Sequence, residues 1–226
     1  VLAEGNGRAR GTPGDYEFDA AGRLADQQLA GVRVPLGRVA ARGRGDTAGV
    51  ELASFEGAVL AGSVAGAGSV AWSPEVRWNI RVEGRGIDPG QAWPGWSGRL
   101  DGRAASEGRL APDGPRARVA PLDLEGTLRG QPLRAAGGLA LAAGAYTLDG
   151  VALTWGGLSA RADGTAGERW DLDWSLDAPN LAALLPDTAG AIAARGHLAG
   201  RGLATPRVQA DLTARGLAAF AQEAGE

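Results

Sequence analysis

The sequence predicts an all-β fold: a long, curled, mostly antiparallel sheet left open as a taco-like groove, apolar inside and polar outside, with at most one or two short helices. Three observations predict it. Apolar and polar residues alternate with a period of two along much of the chain, as a half-buried strand requires. Glycine supplies 38 of the 226 residues, about 17% against an ordinary 7% or so, and falls between short apolar stretches where turns and bulges need it. A helical period is almost absent.

Taken in order, EVRWNIRVEG sets Val76, Trp78, Ile80 and Val82 against Arg77, Asn79, Arg81 and Glu83. PLDLEGTLRG sets Leu122, Leu124 and Leu128 against Asp123, Glu125, Thr127 and Arg129, and GVALTWGG contributes Val151, Leu153 and Trp155. WDLDWSLDAP places Trp170, Leu172, Trp174 and Leu176 on one face and Asp171, Asp173 and Asp177 on the other. PRVQADLTARG does the same with Val208, Ala210 and Leu212. Asp-Gly pairs at 101–102, 113–114, 149–150 and 163–164 read as turns between such runs. NLAALLP at 180–186, with an Asn N-cap and a Pro stop, predicts one helical turn, and GLAAFAQEAG at the C-terminal end a second short helix. Residues 86–110 and 178–203 share a cadence of strand end, Pro-containing link, glycine-punctuated strand and return strand. That weak repeat implies a sheet that grows by adding strands, one continuous segment over residues 1–226 without an internal boundary.

Two architectures satisfy this pattern. In a sandwich or barrel the apolar faces meet; in an open, curled sheet they line a trough. Large core side chains are replaced by Gly and Ala at many apolar-face positions, which favours the trough.

Charge and composition exclude several functions. The net charge is −3, all 23 basic residues other than the single His are Arg, and the charges are interspersed, so no nucleic-acid surface is expected. Cysteine is absent, removing disulfides, thiol nucleophiles and cysteine metal sites. No apolar run is long enough for a membrane-spanning helix. The chain opens at Val1 with no signal peptide and reads as a section of a longer protein.

Several motifs invite chemistry and are better explained by structure. At strand spacing, Asp171, Asp173 and Asp177 form a solvated face rather than a metal or glycosidase site. Arg44-Gly45-Asp46 spells an adhesion tripeptide inside a Gly/Arg turn. GAGSVA at 66–71 matches a loose dinucleotide fingerprint, but Pro74 and an alternating strand follow where a helix is needed. His197 stands alone, too little for a zinc site or a hydrolytic triad. Trp93 and Trp96, in a Pro/Gly link, are placed to pin the end of the trough. No catalytic residue, metal site or cofactor is expected.

The stretches GSVAWSPEVRWNIRVEGRGIDPG, LEGTLRGQPLRAAGGLAL and RWDLDWSLDAPNLAALLPDTAGAIAARGHLAGRGLATPRVQADLTARGLA resemble the TamB family, the inner-membrane-anchored subunits of the bacterial translocation and assembly module, related to AsmA-like proteins. The recurring L-x-G-x-L-x-G…P-x-V-x-A-x-L-x-A-x-G-L cadence, at Leu198 to Leu217, carries the resemblance, which extends from about Val50 onward. It implies an internal section of a periplasmic bridge whose groove shields phospholipid acyl chains between the two membranes and supports outer-membrane protein assembly. It also implies a BamA-like outer-membrane partner, contacted through other parts of the protein. The lining would be Trp72, Trp78, Ile80, Val82, Leu122, Leu124, Leu128, Leu153, Trp155, Trp170, Leu172, Trp174, Leu176, Val208 and Leu212. On the order of fifteen strands would extend about 70 Å. A structural or adhesive β-solenoid would instead close the same apolar face with stacked side chains. A carbohydrate-active enzyme would need paired carboxylates beside exposed rings, which alternation does not offer.

Overall fold

The computed structural model describes residues 2–25, 27–29, 32–34, 36–112, 114–142, 144–167, 169–183, 188–201 and 207–219. The strands are β1 (Leu2–Thr12), β2 (Asp15–Leu24), β3 (Gln27–Leu29), β4 (Val32–Val34), β5 (Leu36–Gly45), β6 (Gly49–Val59), β7 (Gly62–Ala71) and β8 (Arg77–Ile87). They continue with β9 (Gly98–Ala111), β10 (Gly114–Leu128), β11 (Gln131–Ala142), β12 (Ala145–Trp155), β13 (Leu158–Ala166), β14 (Arg169–Ala178), β15 (Thr188–Arg201) and β16 (Arg207–Ala219). β3 and β4 pair only with each other; the other fourteen form one sheet in chain order, every neighbour antiparallel. β1 and β16 end the series on opposite edges, so the sheet is open, and no second layer packs on either face among the described residues.

The surface area records this openness. The chain exposes 14888 Å², about 1.5 times the roughly 9,600 Å² that a compact monomer of 22.9 kDa presents. Among the described residues the buried apolar side chains are Leu100, Leu128, Leu133 and Ala178. The first three form a cluster with Ile87, Leu124, Leu153 and Trp155 packed around it.

Successive strands run up and down, so their links fall on two rims. On one rim, β6–β7, β10–β11 and β12–β13 are joined by two-residue turns: Leu60-Ala61 (φ 48° and 60°), Arg129-Gly130 (φ 52° and 73°) and Gly156-Gly157 (φ 54° and 92°). Positive φ at both central residues gives the turn a twist that matches the flanking strands. The same rim carries the two longer links that the repeated cadence anticipates. One contains a 3₁₀ turn at Pro89–Gln91, the other at Leu181–Ala183, where NLAALLP predicts a helical turn; residues 184–187 lie outside the described set.

Register shifts interrupt the ladders of β5–β6, β6–β7, β8–β9, β9–β10–β11, β11–β12, β12–β13 and β15–β16. Each bulge bends its strand and increases the local twist, which is how a single sheet acquires curl. The bulge between Val119 and Leu122 accommodates Pro121, whose missing N–H could not serve a regular ladder.

Two expectations are corrected. Asp-Gly 101–102, 149–150 and 163–164 lie inside β9, β12 and β13, not in turns. Asp101 Oδ1 accepts from the N–H of Gly86 at 2.6 Å and Asp163 Oδ2 from that of Gly150 at 2.8 Å. Gly86 (φ 64°) and Gly150 (φ 56°) sit at bulges of the adjoining strand, where only glycine adopts the left-handed conformation without strain. Each carboxylate therefore satisfies an N–H that its bulge has freed. The second correction concerns the C-terminal helix: residues 216–219 continue β16, and the remainder of GLAAFAQEAG lies outside the described residues.

Candidate functional site

Cross-strand partners share a face, so following the register from strand to strand reconstructs the apolar surface row by row. The first row runs Ala9, Phe18, Gly43, Leu52, Gly68, Ile80, Ser106, Val119, Leu139, Leu148, Gly164, Leu172, Leu198 and Val208, one residue from each of the fourteen strands. Its one hydroxyl, Ser106 Oγ, accepts from Trp78 Nε1 at 3.1 Å. A second row includes Phe55, Gly66, Val82, Ala104, Leu122 and Gly137, then, across the β11–β12 bulge, Val151, Ala162, Trp174, Gly196 and Ala210. The third runs from Gly5, Gly22, Val39, Gly57 and Val64 through Gly84, Gly102, Leu124, Ala135 and Leu153 to Ala160, Leu176, Ala194 and Leu212. It carries no polar side chain.

Two concavities cross the sheet at the level of this third row, on its opposite face. One of about 1070 Å³ spans β1, β2 and β5–β8 and is lined chiefly by the charged face, among others by Glu4, Arg23, Arg38, Glu56, Glu83 and Arg85. The other, of about 830 Å³, spans β8–β12 and is likewise lined chiefly by the charged face, among others by Glu83, Asp101, Arg103, Asp123, Glu125 and Arg134. The apolar face remains open to solvent: Leu122 is 41% exposed, Leu139 39% and Leu212 68%.

The register brings ten of the fifteen candidate lining residues into these three rows: Ile80, Leu172 and Val208; Val82, Leu122 and Trp174; Leu124, Leu153, Leu176 and Leu212. Trp78 and Trp170 occupy the same face toward the other rim, where their partners are Gly108 and Gly200. Leu128 and Trp155 lie at the turn-bearing rim within the buried cluster, and Trp155 Nε1 donates to the Leu128 carbonyl at 2.9 Å. Trp72 lies outside the strands, in the β7–β8 link, where its backbone N–H donates to the Ala48 carbonyl and its indole to that of Thr47. Trp96 stacks on Trp155 at 5.7 Å with Arg129 over its ring, while Trp96 and Trp93 both stay exposed, at 42% and 43%. Phe18, Leu52, Val119, Leu139, Leu148 and Leu198 complete the first row and were not singled out from sequence.

The opposite face is a lattice of cross-strand ion pairs: Asp19–Arg42 at 2.8 Å, Arg44–Glu51 at 2.7 Å, Arg103–Asp123 at 2.7 Å, Arg118–Asp149 at 3.4 Å and Arg195–Asp211 at 3.3 Å. Glu51 raises the affinity of the Arg44 guanidinium for its proton, first by hydrogen bonding and then by charge, and Asp123 does the same for Arg103. His197 belongs to this face, Nδ1 at 2.8 Å from Asp173 and Nε2 at 3.7 Å from Asp171. The adhesion-like tripeptide is consumed by its hairpin: Arg44 pairs with Glu51, and Asp46 Oδ1 accepts from the N–H groups of Ala48 and Gly49. GAGSVA lies within β7 and leads into no helix. No cluster of three metal-ligating side chains occurs among the described residues, and no helix there is long and apolar enough to cross a membrane.

Comparison with known proteins shows the family. The family model described as TamB, N-terminal domain, matches residues 2–222. The translocation and assembly module subunit TamB of Haemophilus influenzae is 25% identical over 151 residues, covering 66% of this chain and 12% of that protein. The chain thus spans about an eighth of the length of that relative. No solved structure matches at the same stringency. The resemblance read from Val50 onward extends over nearly the whole sequence, and the chain belongs to the TamB family.

Proposed function

We propose that this segment is part of a non-enzymatic lipid conduit in the bacterial cell envelope. In this reading its apolar face shields phospholipid acyl chains while the headgroups stay in water. The segment lies in the periplasm, in a protein anchored in the inner membrane of a Gram-negative bacterium. Parts of the protein outside it meet a BamA-like outer-membrane partner and support protein assembly, in keeping with the assembly-module role that the Haemophilus relative's name states.

The carrying observation is the unbroken apolar face. Three rows of Gly, Ala, Val, Leu and aromatic residues cross the sheet with no covering layer among the described residues, and one satisfied hydroxyl is the single polar side chain in them. A monomer rarely leaves so large an apolar surface open unless something binds it. Each CH₂ moved from water to such a lining gains roughly 0.8 kcal/mol, so an acyl tail is held by several kcal/mol without a specific contact. A row that offers no single deep pocket lets a chain slide between equivalent positions.

Photocrosslinking in cells tests this reading. A photoreactive residue in place of Trp174 or Leu212, on the apolar face, is expected to yield phospholipid adducts; one in place of Asp173 or Asp211, on the ion-pair face, is not. Absence of lipid at all four positions in a folded protein would refute the conduit.

A further inference from the structure

The aromatic residues on the strands are not scattered. Tyr16 pairs with Gly45, Phe55 with Gly66, Trp78 with Gly108 and Trp174 with Gly196. In each pair the ring belongs to the earlier strand and the glycine to the next one along the sheet. In each the ring lies over that glycine. A Cβ at Gly45 would stand 2.5 Å from Tyr16 Oη and 2.6 Å from its Cζ; at Gly66, 2.5 Å from Phe55 Cζ while also overlapping the Arg81 carbonyl oxygen; at Gly196, 2.9 Å from Trp174 Cε2 and 2.5 Å from the Gln209 carbonyl oxygen. At Gly108 it would overlap the Trp78 ring outright. Real Cβ contacts do not fall that close, so no other residue could occupy these positions beneath the rings where they now lie. The four rings therefore recline the same way, like overlapping tiles. Tyr146 supplies the contrast. Its partners are Leu141 and Ala166, neither a glycine, and it stands 50% exposed, whereas Tyr16 is half-buried.

We propose that Gly45, Gly66, Gly108 and Gly196 are positioning residues of the apolar face: by letting the neighbouring rings lie flat, they keep its floor low enough for an extended aliphatic chain to lie across it. A methyl group at Gly45 or Gly108, where the ring is the nearest obstacle, lifts that ring off the sheet and into the path of the chain; at Gly66 and Gly196 it meets a backbone carbonyl as well as the ring. The chemistry selected is that of a linear acyl tail, which passes over a tiled surface, rather than a compact sterol-like body, which needs a pocket. This inference rests on the conduit reading, and its test separates the two.

Ring position is read first, without lipid. The chain has two tyrosines, Tyr16 and Tyr146, so tetranitromethane nitration of the intact protein, resolved by peptide mapping, compares them directly. Tyr16 is expected to react several-fold more slowly than Tyr146, and Gly45→Ala to bring it close to the Tyr146 rate. Gly45 is the favourable site because its nearest backbone obstacle, the Gly49 carbonyl oxygen, is 3.0 Å away. Equal reactivity of Tyr16 with and without Gly45→Ala overturns the proposal.

Passage is read second, from a photoreactive residue at Leu176, beside Trp174. Gly196→Ala is expected to lower phospholipid adducts several-fold. Gly196→Ala combined with Trp174→Leu is expected to restore them, although the backbone clash of the new methyl with the Gln209 carbonyl remains. A double variant as poor as the single one would make Gly196 merely structural and overturn the proposal. No adduct in the unsubstituted protein would instead overturn the conduit reading, whatever the nitration result.

Discussion

At the scale of single residues, Asp88 shows how little holds the groove's rim in place. Its carboxylate accepts from Gln91 Nε2 at 3.0 Å and from the N–H groups of Gly98 at 2.9 Å and Gly90 at 3.0 Å, closing the link that brings Trp96 onto Trp155. The Gln91 hydrogen bond first, then those of Gly98 and Gly90, hold its pKa below the usual carboxylate range. A depressed folded-state pKa contributes stability that is present above the unfolded value, near 4, and is lost as pH falls through the lower folded value. Asp88→Asn is therefore expected to lower the denaturant midpoint at pH 7 and to match the unsubstituted protein as pH falls below that range. A constant difference at every pH would contradict this account. The role was illegible in the sequence, where GIDPGQAWPG shows a Pro/Gly link but not which acceptor closes it. His197 was legible as a satisfied or solvent-facing strand residue, with no Cys and no second His to build a site, and it lies on the polar face beside Asp173.

At the scale of elements, alternation exposed the strands, and several turns stayed hidden. AVLAGSVA reads as one apolar run, yet it turns at Leu60-Ala61, two non-glycine residues at positive φ. Nothing in their side chains favours that conformation, which costs about 1 kcal/mol or more each; the ladders on both sides impose it. Ala61→Gly is accordingly expected to stabilise the protein by about 1 kcal/mol, read as a raised urea midpoint with an unchanged slope. The Asp-Gly pairs mislead in the opposite direction. Their turn chemistry is genuine, but in β9 and β13 the carboxylate serves a bulge on the neighbouring strand, information that lies in the register and not in the local sequence. Asp101→Ala and Asp163→Ala are each expected to cost about 1 kcal/mol through the unsatisfied N–H of Gly86 or Gly150. Faster amide exchange at those two glycines is the specific sign.

At the scale of the whole molecule, the fourteen-stranded sheet spans about 65 Å along its hydrogen-bonding direction, and its faces differ in kind. Solvent-screened ion pairs across strands mark the solvent side; the apolar side has no partner within the described residues. The choice between a closed core and an open trough could not be made from alternation alone, since both bury every second residue. Small residues at apolar positions were the legible hint, and the register explains them: they lie beneath rings and beside large aliphatic neighbours. Among the described residues β1 and β16 have no strand on their outer side, so the isolated segment is expected to self-associate at high concentration, and a clean monomer by light scattering would count against an open edge. The most direct test of an open lipid-bearing face uses Leu122, on the apolar face of a central strand and 41% exposed. Intact protein with and without Leu122→Glu would be purified, its bound phospholipid extracted and quantified, and its thermal midpoint measured. The account predicts phospholipid on the unsubstituted protein and most of it lost from Leu122→Glu, with midpoints within a few degrees of each other. Equal phospholipid on the two proteins, or none on either while both are folded, would contradict it.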